Sequence, residues 1–196
     1  MGYHKLTLIL AFVSLFYLSG HAKQATGIQA ATGEQVAKSS TAQQQVLDQT
    51  TIKTIDGEVI HVERTKNGLI FKGYEEKIVL LETFGYRCPP CKEAIPGYNR
   101  LQKKYQKDIV VIAIEVWGTD NAGLRKYVDA HGIDYKAVSK SNSGKMLSFI
   151  GNLTGWSPGA GVPYLMLLSP SGDIAKDVPP QRFPESYVES LIKELL

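Results

Sequence analysis

The stretch Ile78-Val79-Leu80-Leu81-Glu82-Thr83-Phe84-Gly85-Tyr86-Arg87-Cys88-Pro89-Pro90-Cys91 runs an apolar segment directly into two cysteines three positions apart. The apolar run reads as a buried strand. The two prolines suit the first turn of a helix, because the amide hydrogens they lack would have had no helical partner there. Beyond the pair, Tyr98, Leu101 and Tyr105 recur at helical spacing. A strand that ends near Arg87 and a helix that starts near Pro89 set Cys88 at a helix N-terminus. There the free amides and the positive end of the dipole favour a thiolate. With two donors removed by proline, the amide of Cys91 is the one left to face the Cys88 sulfur.

Outward from this centre, 109–114 is a second continuous apolar strand of the kind buried on both faces of a sheet. A helix over 121–131, a short extended piece over 135–138 and a helix around 145–150 follow. Then come a strand over 164–168, a turn at Ser171-Gly172 and a strand over 174–178. Tyr187, Val188, Leu191, Ile192 and Leu195 give the last helix one apolar face. Upstream, apolar groups at 52–62 and 69–71 flank turn signals at Asp56-Gly57 and Asn67-Gly68, the pattern of hairpin strands. The fold class expected is α/β, a three-layer sandwich with a mixed central sheet, an N-terminal hairpin and an inserted helix and strand.

The domain is expected over 51–196. Residues 23–50, rich in Gln, Ala, Ser and Thr, read as a disordered linker, with a frayed helix at 43–47 as the alternative. Residues 1–22 read as a signal peptide. His4 and Lys5 form a basic start, 6–18 is an apolar run of 13 residues, and Gly20-His21-Ala22 supplies the small residues of a cleavage site after Ala22. An uncleaved membrane tether is the competing reading, and the absence of a cysteine after the run excludes a lipoprotein anchor. The expected location is periplasmic or otherwise exported.

The 196 residues are 43% hydrophobic and 21% charged, enough for one substantial core and unlike a coiled coil or a disordered chain. Lys+Arg 22 against Asp+Glu 19 leave a net charge of +3, well mixed along the chain, which argues against a nucleic-acid partner. Cys88 and Cys91 are the only cysteines. One helical turn apart, their sulfurs lie within bonding reach, with Cys88 as the exposed nucleophile and Cys91 as the buried resolving thiol. Zinc would need further ligands, and His61 and His131 are distant in sequence. A passive disulfide would close too small a loop to restrict the unfolded chain. A catalytic couple fits best. Glu82 interrupts the apolar strand: either it is buried with a raised pKa, fit to exchange a proton with Cys91, or it reaches solvent at the strand end. Arg87 either adds positive charge beside Cys88 or is simply solvated.

These residues resemble the thioredoxin superfamily, and within it the exported TlpA/ResA-like thiol–disulfide oxidoreductases. The motif Cys88-Pro89-Pro90-Cys91 is similar to the family's redox site, Pro96 stands where the family has a helix-kinking proline, and Glu82 stands where thioredoxins carry a buried acid. Val162-Pro163, ahead of an apolar strand, resembles the family's cis-proline, whose preceding residue pairs through its backbone with substrate peptide. The segment 121–138 is similar to the helix and strand that TlpA-like proteins insert. Arg87 replaces the tryptophan usual before the first cysteine, and neither Tyr86 nor Trp117 can be assigned to that role by sequence. Tyr164 follows Pro163, where cytochrome c maturation members often have an acid. The glycine-rich loop 152–161, with Trp156 and Pro158, is read either as a wall of the substrate groove or as plain surface.

The resemblance implies an enzyme that exchanges disulfides with protein substrates, most readily as a reductant, with cytochrome c maturation as one setting. It needs no cofactor or metal, and it implies a membrane-embedded electron donor or acceptor. An oxidant or isomerase, a non-catalytic binding module and a copper chaperone are the alternative readings.

Overall fold

In the computed structural model, residues 44–196 are described. The signal peptide, its cleavage site, the tether and the linker up to residue 43 lie outside them. The strand read at the start of the decisive stretch is β4 (Ile78–Phe84), and all seven of its residues are buried. It lies at the centre of a five-stranded sheet. On one side it pairs in parallel with β5 (Ile109–Glu115), and beyond that lies β6 (Lys136–Val138). On its other side runs antiparallel β7 (Tyr164–Leu168), followed by β8 (Ile174–Val178).

Side chains alternate across a strand, so β4 sends Leu80, Glu82 and Phe84 to one face and Val79 and Leu81 to the other. The first face is covered by α1 (Pro89–Lys104), α2 (Asn121–His131) and α4 (Glu185–Lys193), which contribute Cys91, Tyr98, Leu124 and Val188 to its core. The second face is covered by α3 (Met146–Thr154) and by a separate antiparallel sheet of β1 (Asp48–Lys53), β2 (Val59–Arg64) and β3 (Leu69–Phe71). The expected mixed-sheet sandwich, N-terminal hairpin and inserted α2–β6 are all present. The hairpin gains a third strand, and Gly68 ties that sheet to the β7–β8 turn. A Cβ at Gly68 would stand 2.0 Å from the Gly172 carbonyl oxygen, so only glycine permits the approach.

Four boundaries differ from expectation. β4 ends at Phe84 rather than near Arg87, because the chain turns there and the Cys88 amide donates to the Gly85 carbonyl. Residues 48–50, read as linker, belong to β1, because Asp48 to Thr50 pair with Arg64 to Val62 and the ladder satisfies backbone groups that the polar composition could not bury. Residues 44–47 form no helix, and the Leu47 amide donates to the Arg64 carbonyl. The loop read from residue 152 is shorter, since α3 continues to Thr154 and Gly155 ends it with φ +77°.

Candidate active site

The α1 N-terminus is assembled from its own prolines. Cys88 is the N-cap in extended conformation, Pro89 and Pro90 fill the first turn, and the Cys91 amide donates to Cys88 Sγ at 3.2 Å. Behind it, the Cys88 amide donates to the Gly85 carbonyl at 2.9 Å, closing the turn that leaves β4. The two sulfurs are joined as a disulfide, with Cα atoms 5.3 Å apart.

The expectation that Cys88 is exposed does not hold. It is 4% accessible and Cys91 is 2%. The disulfide partner and the Val162 carbonyl, 3.8 Å from Cys88 Sγ, cover it. The two thiols differ in outlook instead, because Cys88 edges an open cleft of about 400 Å³. Val162-Pro163 is a cis peptide, as the resemblance implied, and brings a residue 74 positions away against the sulfur.

Glu82 lies buried in the sheet, 2% accessible, so the solvent-reaching alternative fails. Its Oε1 has no hydrogen-bond partner among the described residues, and burial pushes its carboxyl well above the ordinary value of 4.5. Three tyrosines surround it. Burial first, and then the Glu82 charge, raises the phenols of Tyr98, Tyr127 and Tyr135. The Tyr98 and Tyr127 hydroxyls also lack partners among the described residues. The face of β4 under α1 thus carries unpartnered polar groups in an otherwise apolar core.

Arg87 is exposed, its guanidinium 4.9 Å from the Tyr86 ring centroid, and both residues line the Cys88 cleft with Pro89. Pro96 sits inside α1, where it offers no amide to the Lys92 carbonyl. Trp156, from the glycine-rich loop, turns inward: it is 5% accessible, stacks on Tyr164 at 5.1 Å and donates from Nε1 to the Gly161 carbonyl at 3.1 Å.

Sequence reasoning missed three contributors. Lys92 and His131 line the cleft beside Cys88. Trp117, 47% exposed, covers Gly85 so closely that a Cβ there would stand 2.3 Å from the indole. Its loop is shaped by buried Glu115, which accepts the amides of Trp117, Gly118 and Thr119 at 2.9, 2.8 and 3.0 Å. For Trp117 the available signal was topological: the loop leaving β5 opens at the same sheet edge as the turn leaving its parallel neighbour β4.

The polypeptide path is shared with proteins of known structure. A thiol:disulfide interchange protein of the thioredoxin family from Chlorobium tepidum superposes with a TM-score of 0.56 at 18% identity, over 79% of this chain and 97% of that one. A secreted Mycobacterium tuberculosis disulfide oxidoreductase homologous to E. coli DsbE gives 0.54 at 11% identity, over 74% and 96%. StoA from Bacillus subtilis gives 0.53 at 16%, over 74% and 96%. The fold is that of thioredoxin. In sequence, the chain is 30% identical over 92 residues to chloroplastic thioredoxin F2 of Arabidopsis thaliana, covering 47% of this chain and 49% of that protein. Chloroplastic thioredoxin F1 of the same plant is 29% identical over 92 residues, covering 47% and 51%. The chain therefore spans about half the length of the curated relatives it matches. No family model matches the sequence. Within this thioredoxin fold, Cys88 and Cys91 form a C-x-x-C disulfide at the start of α1, on a scaffold common to thiol–disulfide oxidoreductases.

Proposed function

We propose that the chain is an exported, TlpA/ResA-like thiol–disulfide oxidoreductase that reduces disulfides in protein substrates through Cys88 and Cys91. The observation that carries this reading is the environment of Cys88 Sγ. It caps a helix, receives the Cys91 amide at 3.2 Å and lies 3.8 Å from the Val162 carbonyl, at the edge of an open cleft.

In the reduced form the Cys88 thiolate attacks a substrate disulfide. A Cys88–substrate disulfide forms, and the departing substrate thiolate takes a proton from solvent. Cys91 then gives up its proton and attacks Cys88 Sγ, so the second substrate thiolate leaves. Two electrons have passed to the substrate, and the protein holds the Cys88–Cys91 disulfide. Glu82 is the proton partner in this scheme. Its carboxylate, made basic by burial, takes the Cys91 proton, and the acid returns it when the disulfide is next reduced. Recharging requires a dithiol donor of lower potential, which for an exported protein is a membrane-embedded one. Val162 supplies a backbone edge for the substrate chain.

Cys91→Ser is expected to accumulate a mixed disulfide between Cys88 and substrate, and Cys88→Ser to abolish both trapping and turnover. A Cys88→Ser protein that still reduces insulin would refute the assignment. Equilibration with glutathione gives the direction: a potential well below that of the glutathione pool supports the reductant, and one well above it an oxidant.

A further inference from the structure

The cleft against Cys88 is built by two helices far apart in sequence. Cys88, Pro89 and Lys92 line it from the start of α1, His131 from the last turn of α2, and Tyr86 and Arg87 from the turn after β4. Its charged side chains are of one sign, since Arg87 and Lys92 are cationic and no lining residue carries a carboxylate. Neither cation forms an ion pair among the described residues. The nearest acid in the helix, Glu93, is engaged by Arg182, and the two line a separate cleft with Pro90, Phe183 and Pro184. His131 packs edge-on against Tyr127 with ring centroids 4.4 Å apart. Partial burial, and then the Lys92 charge, hold its pKa below the ordinary 6.5. At neutral pH it therefore adds a hydrogen-bonding group rather than a third charge.

We infer that this cleft receives an acidic segment of the protein substrate, with a carboxylate side chain flanking the substrate cysteine seated against Lys92 and Arg87 while the sulfur meets Cys88. This rests on the exchange reading above and adds to it a substrate charge preference. The whole chain is nearly neutral in sign, with a net charge of +3, so the preference comes from the local pair at the reacting sulfur rather than from overall charge. Charges at the rim of a site act chiefly on the encounter rate and are screened by salt.

The test uses the reduced full-length protein and three short peptides with one intramolecular disulfide, identical except for Asp, Asn or Lys beside the attacked cysteine. At low ionic strength the Asp peptide is expected to be reduced about tenfold faster than the Lys peptide, with Asn between them. The order is expected to collapse in about 1 M salt, where the Debye length is about 3 Å. Lys92→Glu is expected to reverse the order and Lys92→Gln to narrow it about threefold. Lys66→Gln, in the exposed turn between β2 and β3, is expected to keep it. Equal rates for the three peptides at low salt, or an order that survives Lys92→Glu, overturn the inference while leaving the exchange reading intact. If no peptide is reduced and no mixed disulfide is trapped, the exchange reading fails and this inference with it.

Discussion

Glu82 and Glu115 are two buried carboxylates on adjacent parallel strands, 2% and 0% accessible, and they are treated in opposite ways. Glu115, the last residue of β5, meets three backbone amides of the loop that presents Trp117. Glu82 sits two residues from the end of β4 and has an unpartnered oxygen among three tyrosines, two of which also lack partners among the described residues. A buried acid at a strand end finds the free amides of the departing chain. One inside a strand faces a ladder already paired with its neighbours, so its charge goes uncompensated. Burial alone therefore does not mark a chemical group. The satisfied carboxylate braces a loop, and the unsatisfied one is held well above the ordinary carboxyl value by burial.

Breaking the braced side should cost most. Glu115→Ala strands up to three amides and is expected to lower stability by about 4 kcal/mol, a fall in Tm of roughly 10 °C. Glu115→Gln, which keeps one acceptor oxygen, should recover about half of that loss. Thermal unfolding followed by tryptophan fluorescence reads both, and an unchanged Tm in Glu115→Ala would erase the contrast between the two acids.

Glu82→Gln should act in the opposite sense. Removing an ionisable group from an apolar site is expected to raise stability at pH 7 by about 1–2 kcal/mol. It should also slow resolution of the mixed disulfide about 100-fold, within the range of a lost general base. The sign follows from linkage. The folded pKa lies above the unfolded one, so the native state retains a proton that the unfolded chain releases as pH rises past about 4.5. Stability is greatest below that value and declines as pH rises toward the folded pKa. Across this window, denaturant titrations should show the wild type losing stability with rising pH relative to Glu82→Gln. Parallel slopes would mean that Glu82 is not the buried acid described.

The smallest effect belongs to a surface carboxylate. Glu189 accepts from Lys104 at 2.6 Å and Tyr105 at 2.7 Å, and with Lys193 nearby its pKa falls to about 2. Its contribution is present above the ordinary 4.5 and lost as pH falls through about 2. Glu189→Gln should therefore shift acid unfolding slightly, in low salt only.

Much of this site could be read from local sequence. The strand into Cys88, the prolines at the start of α1 and the Cys91 amide on the Cys88 sulfur concern neighbours within a few positions, where helix and strand geometry leave little choice. The same holds for β5 and for α2, whose start is capped by Asp120 and whose end is marked by Gly132 at φ +59°. Polar β1 was partly misread because its pairing with β2, and not its composition, makes it a strand. The direction of Trp156 was not legible because a tryptophan in a glycine-rich loop carries no sign of which way it turns, and here it turns into the core.

The sequence by itself determined the α/β order, the redox couple and its place at a helix start, since each depends on spacing along a single element. Only the tertiary structure decided that both sulfurs are buried, that the Val162 carbonyl stands 3.8 Å from Cys88 Sγ, and that Lys92 and His131 share one cleft with it. It also decided which of the two buried glutamates is satisfied. Each of these depends on groups brought together from separate elements, and on which backbone amides the ladders have already used, quantities that no local window of residues contains.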